Sequence, residues 1–261
     1  MDILPAADTL VDLFAGGCAI THAALESGKY RRVIANDLDP RGIDLFIGAI
    51  QGKYRDDYRV ISREDFEALK DTDPYVALCW SFGNNGRDYI CNKDVEPYKK
   101  AVHTMLMAET VHDRRLAYKA VITEIRNLTG LNKQLFLQER NLENLERVQS
   151  LEALESLEAL ERIEALRLPY EDVGIPNGSV VYCDIPYKDT SEYNVPFDYD
   201  RFLDWAAECE QPCFVSSYEI EDARFECVAE FPKRQLLSPT NKSTVKLERL
   251  YRPTNQIGGG A

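Results

Sequence analysis

Thr9-Leu10-Val11-Asp12-Leu13-Phe14 is a short apolar β-run that passes straight into Ala15-Gly16-Gly17-Cys18. The residues that follow predict a helix from about Ala19 to Ser27, stopped by Gly28. Val33-Ile34-Ala35-Asn36-Asp37 is then a second strand, ending in an acid 25 residues beyond Asp12. Strand, glycine turn, helix and strand form the first unit of a nucleotide-binding α/β sheet. The glycines let the backbone approach a ligand closely. Asp37 falls at the tip of the adjacent strand, where a carboxylate binds both hydroxyls of a ribose.

A second apolar run, Val180-Val181-Tyr182-Cys183, ends abruptly in Asp184-Ile185-Pro186-Tyr187. The carboxyl end of a strand is where chemistry sits in an open α/β sheet. This tetrapeptide resembles the D/N-P-P-Y/F motif of amino-methyltransferases, and the resemblance implies one task for its acid, main-chain carbonyl and ring. An exocyclic amine is a weak nucleophile because its lone pair is spread into the base. Hydrogen bonds from its two hydrogens to Asp184 and to the Ile185 carbonyl localise that pair. Pro186 stiffens the turn, and Tyr187 offers a face for a base taken out of its helix. By itself, the tetrapeptide also reads as an ordinary strand-to-loop exit.

The 261 residues suffice for one large core, or one core with an inserted subdomain. No apolar run is long enough to cross a bilayer, and Met1-Asp2-Ile3-Leu4-Pro5 does not read as a signal peptide. Seven scattered cysteines point to buried thiols in a reducing cytoplasm. Cys209 and Cys213 have metal-like spacing, but no second Cys or His pair lies near, so no metal is expected. A net charge of −13 argues against indiscriminate nucleic-acid binding. Basic residues are nevertheless concentrated: nine Lys/Arg against six acids over 87–133, and six against one over 233–252. Either segment can face phosphates or be solvated surface.

Between the two strand motifs the chain is less legible. Ser81 to Tyr89 is a polar, glycine-rich loop, with Asn85-Gly86 suited to a type I′ corner. A helical pattern runs from Val95 to about Leu128, with His103 and His112 on its polar face. From Leu142 to Leu166 an aliphatic residue recurs every third position. Composition there favours helix, yet that spacing winds an apolar stripe around an α-helix instead of along it. A spacer or packing element is the first reading, and self-association the second. Beyond Tyr187 come a polar aromatic loop over 188–194, a helix from Asp200 to Glu208, a strand from Cys213 to Tyr218 and a closing strand from Thr244 to Tyr251.

Phe14-Ala15-Gly16-Gly17 followed by Asn36-Asp37, with Asp184-Ile185-Pro186-Tyr187 about 165 residues beyond Gly17, resembles the Dam-like DNA adenine methyltransferases of phage and prophage type. The order matches theirs: cofactor loop, target-recognition insert, then catalytic tetrapeptide. The resemblance implies an α/β fold, a Rossmann-like class I methyltransferase sheet (1–79 and 168–253) with an inserted, mainly helical target-recognition subdomain (80–167) and a flexible tail (254–261). It implies methyl transfer from S-adenosylmethionine to adenine N6 in double-stranded DNA, in the cytoplasm of a bacterium or phage-infected cell. Asp184, Ile185, Pro186 and Tyr187 would be catalytic. Asp12, Phe14, Ala15, Gly16, Gly17, Asp37 and Tyr170 would bind cofactor, with Tyr170 as the aromatic contact to its adenine. Two departures stand out: Ile185 replaces a proline, and the family's Lys-bearing opening segment does not precede Thr9. Both imply weakened cofactor binding or activity. Cytosine N4, an RNA amine, or DNA binding without catalysis remain alternatives.

Overall fold

The computed structural model describes residues 1–54, 59–90, 157–186, 197–234 and 245–257, with scattered positions between 93 and 119. The chain divides into two units, Met1–Ile43 with Leu157–Ala261, and Asp44–Ser156. The first holds a seven-stranded sheet. Its strands are β1 (Thr9–Asp12), β2 (Arg32–Asn36), β3 (Ile163–Leu166), β4 (Ser179–Asp184), β5 (Cys213–Ser217), β6 (Phe225–Arg234) and β7 (Val245–Pro253).

Their order across the sheet is β3-β2-β1-β4-β5-β7-β6. The first five are parallel, β7 runs antiparallel to β5, and β6 runs antiparallel to β7. From β1 the chain proceeds outward to β2, and it returns on β1's other side as β4. The order therefore reverses between β1 and β4, and a crevice opens outside the carboxyl ends of strands at such a point. This is the expected Rossmann-like sheet.

The central strands are apolar on both faces because helices cover both. β1 is buried throughout, and β4 is buried for five residues before Asp184 emerges at its tip. On one face, α1 (Ala19–Ser27) buries Thr21, Ala24 and Leu25. On the other, Phe202 and Ala206 of α6 (Tyr199–Glu208) pack against Val181, Cys183 and Val215. The Asp198 side chain caps α6 by accepting from the Arg201 N–H. No disulfide joins the described cysteines. Burial holds the Cys183 thiol protonated, and Cys213 is held so first by the hydrogen bond it donates to Cys183 and then by burial.

Three elements differ from expectation. The last residues of the triplet repeat split into a helical turn, α5 (Leu157–Glu161), and the edge strand β3, which belongs to the sheet and not to the insert. Pairing with β2, reinforced by an Arg32–Glu164 ion pair, overrides the helical bias of Glu-Ala-Leu. β6 was not anticipated. It is an edge strand with a bulge between Cys227 and Ala229 and with Pro232 near its end, features an edge tolerates and a central strand does not. Thr254–Gln256, expected in a flexible tail, form a 3₁₀ turn. The Gln256 amide ties that turn to Cys213 N at 2.9 Å and Cys209 O at 2.8 Å.

In the second unit, α3 (Arg63–Leu69) is capped by Ser62, and α4 (Pro74–Cys79) by Asp73. The Ser81–Tyr89 loop closes through one antiparallel bridge between its ends. Its left-handed residues are Asn84 and Gly86 while Asn85 is right-handed, so the corner is not type I′. α2 (Arg41–Ile50) begins in the first unit and ends in the second. Most of the 95–128 helical pattern and residues 142–156 of the repeat lie outside the described residues, as does the Tyr187–Pro196 stretch. Among the described residues, no helix is long and apolar enough to cross a membrane.

Candidate active site

The turn after β1 is built from two left-handed residues, Gly16 (φ 47°) and Cys18 (φ 59°). A cysteine in that region is strained and must be held by its surroundings. Asp12 supplies part of that hold. Its Oδ2 accepts from the Thr21 N–H at 3.0 Å and from the Thr21 hydroxyl at 2.7 Å, capping α1 from the strand because Cys18 gives no side-chain cap. Asp12 is 1% exposed, so it lies beneath the turn. Burial, and then the charges of Asp184 and Asp37, push its carboxyl up to about 7 against the Thr21 hydrogen bonds.

Asp37 closes the same turn from β2. One oxygen accepts from the Gly16 N–H and the other from the Asp39 N–H, each at 2.8 Å. Burial raises its carboxyl, and it stays partly exposed at the crevice. Gly16 and Gly17 are exposed, while Ala15 is buried and donates its N–H to the Asn36 carbonyl. Gly42, in the first turn of α2, lies so close that a Cβ there would meet the Gly16 carbonyl oxygen at 1.7 Å.

Asp184 stands on the neighbouring strand. The Leu13 N–H donates to the Tyr182 carbonyl at 2.9 Å, which fixes the exits of β1 and β4 side by side. Ile185 is 3% exposed and packs into the core, so an apolar residue suits a position where the resemblance implies proline. The Pro186 carbonyl accepts from the Tyr199 hydroxyl at 2.6 Å. Tyr187 lies outside the described residues.

Phe14 and Tyr170 sit together, their ring centroids 5.7 Å apart, in a cluster with Phe197, Phe202 and Trp205. Tyr170 is not on a strand. It opens a 3₁₀ turn, Tyr170–Asp172, after β3. Asn36 staples that segment down: its amide donates to the carbonyls of Leu13 at 3.1 Å and Leu168 at 3.0 Å, and its oxygen accepts from the Leu168 N–H at 2.9 Å.

Asp12, the 14–17 turn, Asp37, Asp184 and Ile185 are thus gathered at the carboxyl ends of three adjacent strands. The supporting roles of Thr21, Gly42 and Tyr199 escaped the sequence reading. Only Gly42 left a signal there, a glycine inside a helix against its propensity. Among the described residues, no group of three or more His, Cys, Asp or Glu is arranged to hold a metal.

A family model for D12 class N6 adenine-specific DNA methyltransferases matches residues 1–210. The chain belongs to this family. It is a methyltransferase whose substrate is DNA and whose target is adenine N6, which decides among the alternatives left open by the residues alone. No curated protein matches the chain. Among solved structures it is similar to the rRNA methyltransferase aviRa from Streptomyces viridochromogenes, at 16% identity and a TM-score of 0.36, over 99% of this chain and 82% of that one.

Proposed function

We propose that this D12 class methyltransferase uses S-adenosylmethionine and acts on a flipped adenine in double-stranded DNA, in the crevice over β1, β2 and β4. The observation that carries the reading is the adjacency of β1 and β4, tied by the Leu13–Tyr182 hydrogen bond. It sets the glycine turn and Asp184 at the ends of neighbouring strands, which supports one cleft serving both.

The residues present fit the donor. The Gly16-Gly17 backbone offers close approach, Asp37 keeps lone pairs for ribose hydroxyls, and Phe14 with Tyr170 offers an aromatic wall for an adenine ring. When bound, the cofactor supplies a methyl group activated by a sulfonium charge, which the carboxylates at these strand ends complement. Asp184 and the Ile185 carbonyl accept the two amine hydrogens and so turn the nitrogen lone pair toward the methyl group. Pro186, braced by Tyr199, limits the turn's freedom, and Tyr187 stacks on the base. Catalysis is then mainly positioning. The amine proton passes to water after transfer, so no further base is required.

Titration calorimetry with S-adenosylmethionine tests donor binding. Transfer of labelled methyl from that donor into unmethylated duplex DNA, recovered as N6-methyladenine, tests the reaction, with Asp184→Ala as control. Binding without transfer, or an active Asp184→Ala, refutes the assignment of roles.

A further inference from the structure

We propose that Glu248 is a positioning residue for the target amine, acting through Ser216 and Tyr182. The inference rests on the reading above that Asp184 binds that amine. Ser216 is the register partner of Asp184, on β5, on the side of β4 away from β1. Paired residues in a sheet share a face and lie about 5 Å apart. Ser216 is 3% exposed, and its hydroxyl donates to Glu248 Oε1 at 2.9 Å. Tyr182, two residues before Asp184 on the same face, is hydrogen-bonded to Ser216 through its own hydroxyl. Leu250 is the β7 partner of Ser216, which sets Glu248 two residues farther along, toward the carboxyl edge of β5. Tyr182, Ser216 and Glu248 therefore form a polar row across β4, β5 and β7 beside Asp184. The β5–β7 ladder is complete without it, and buried polar groups are costly unless every member is satisfied.

The reaction supplies a use for the row. The amine lone pair becomes the new N–C bond as the donor's S–CH3 bond breaks and its electron pair goes to sulfur, so the nitrogen takes over the positive charge before a proton leaves to water. A carboxylate held near Asp184 through Ser216 stabilises that arriving charge more than it stabilises the neutral amine, so its benefit falls on turnover and not on binding. Glu248 also takes the Ser216 hydrogen, so that hydroxyl does not compete with the amine for Asp184.

Glu248→Gln keeps the shape and the acceptor for Ser216 but removes the charge. With labelled S-adenosylmethionine and unmethylated genomic DNA, kcat is expected to fall about tenfold, equivalent to ~1.4 kcal/mol. DNA affinity by gel shift, donor affinity by calorimetry and the melting temperature should match the parent. Ser216→Ala, which detaches the carboxylate from the row, should lower kcat as well, and the double variant should fall no further than Glu248→Gln. Parental kcat in Glu248→Gln, or a loss seen only in KM or melting temperature, overturns this inference alone. A parent enzyme that transfers no methyl overturns the reading beneath it too.

Discussion

The Cα of Gly42 rests against the carbonyl of Gly16, leaving no room for a side chain between α2 and the turn after β1. The nearest atoms to an added Cβ are Gly16 O at 1.7 Å and Gly16 C at 2.7 Å, both backbone, so the turn itself must move. Gly42→Ala is expected to cost about 1–3 kcal/mol through overpacking. Because Gly16 also donates to Asp37, the displacement should reach the ribose acid and weaken S-adenosylmethionine binding by at least about tenfold, ~1.4 kcal/mol. Calorimetry below the variant's melting temperature checks this, and parental affinity in the variant would show that the turn does not hold the donor.

Asp12 ties stability to pH. Its folded carboxyl is raised from 3.8 to about 7, chiefly by burial. The folded state therefore keeps a proton that the unfolded state releases above 3.8. The sign follows: the contribution of Asp12 to stability is fullest below pH 3.8 and is lost as pH climbs through 7, on the order of 4 kcal/mol in total. Asp12→Asn keeps an oxygen for both Thr21 donors and carries no charge. The variant should gain on the parent progressively from pH 5 to 8, with the gain held to about 1–3 kcal/mol by the new amide's need for partners. Urea melts at pH 5, 6, 7 and 8 give the comparison, and a difference that stays constant across them would contradict the assignment.

Much of this arrangement is legible in the chain itself, and the reason is local. The helix expected from Ala19 to Ser27 is the observed one, because Gly28 (φ 64°) stops it and a glycine turn starts it. The tips at Asp37 and Asp184 could be read because each closes an apolar run within two residues, whereas Asp12 stands inside the run from Thr9 to Phe14 and ends β1 only in the structure. β3 could not, since four residues of helix-favouring composition become a strand only through β2. Gly42 and Tyr199 act on backbone carbonyls 26 and 13 positions away, and no local pattern encodes such a contact. The aromatic wall is intermediate. Phe14 and Tyr170 were both singled out, but Phe197, Phe202 and Trp205 join them only when α6 docks on the sheet.

Asn36 links that wall to the strand tips. Its side chain, 2% exposed, makes three hydrogen bonds that join the end of β1 to the segment before Tyr170. Asn36→Ala leaves buried backbone groups without partners and should cost about 2–4 kcal/mol. Asn36→Asp should be worse, because it sets a carboxylate oxygen against the Leu13 and Leu168 carbonyls. Both should change Trp205 emission, since the Tyr170 ring lies 5.4 Å from that indole. Differential scanning calorimetry and tryptophan fluorescence would reveal it, and an aspartate variant as stable as the parent would rule out the staple.

The last test concerns the turn at the proposed catalytic residues. Tyr199 opens α6 and reaches back to the Pro186 carbonyl at 2.6 Å, so the helix that covers one face of the sheet also holds the chain just past Ile185. Removing the hydroxyl in Tyr199→Phe keeps the ring against Phe197, 5.0 Å away, and releases the Pro186 carbonyl. Stability should fall by about 1 kcal/mol, the usual worth of one hydrogen bond. Donor affinity should not change, because the 14–17 turn and Asp37 are untouched. Turnover should drop about fivefold, since a looser turn presents the Ile185 carbonyl and Asp184 less often in one geometry. Single-turnover methyl transfer at saturating DNA separates the two effects. If the transfer rate in Tyr199→Phe equals the parental rate, Ile185 and Pro186 hold their shape without the brace, and rigidity of the turn then resides in Pro186 and the buried Ile185 side chain.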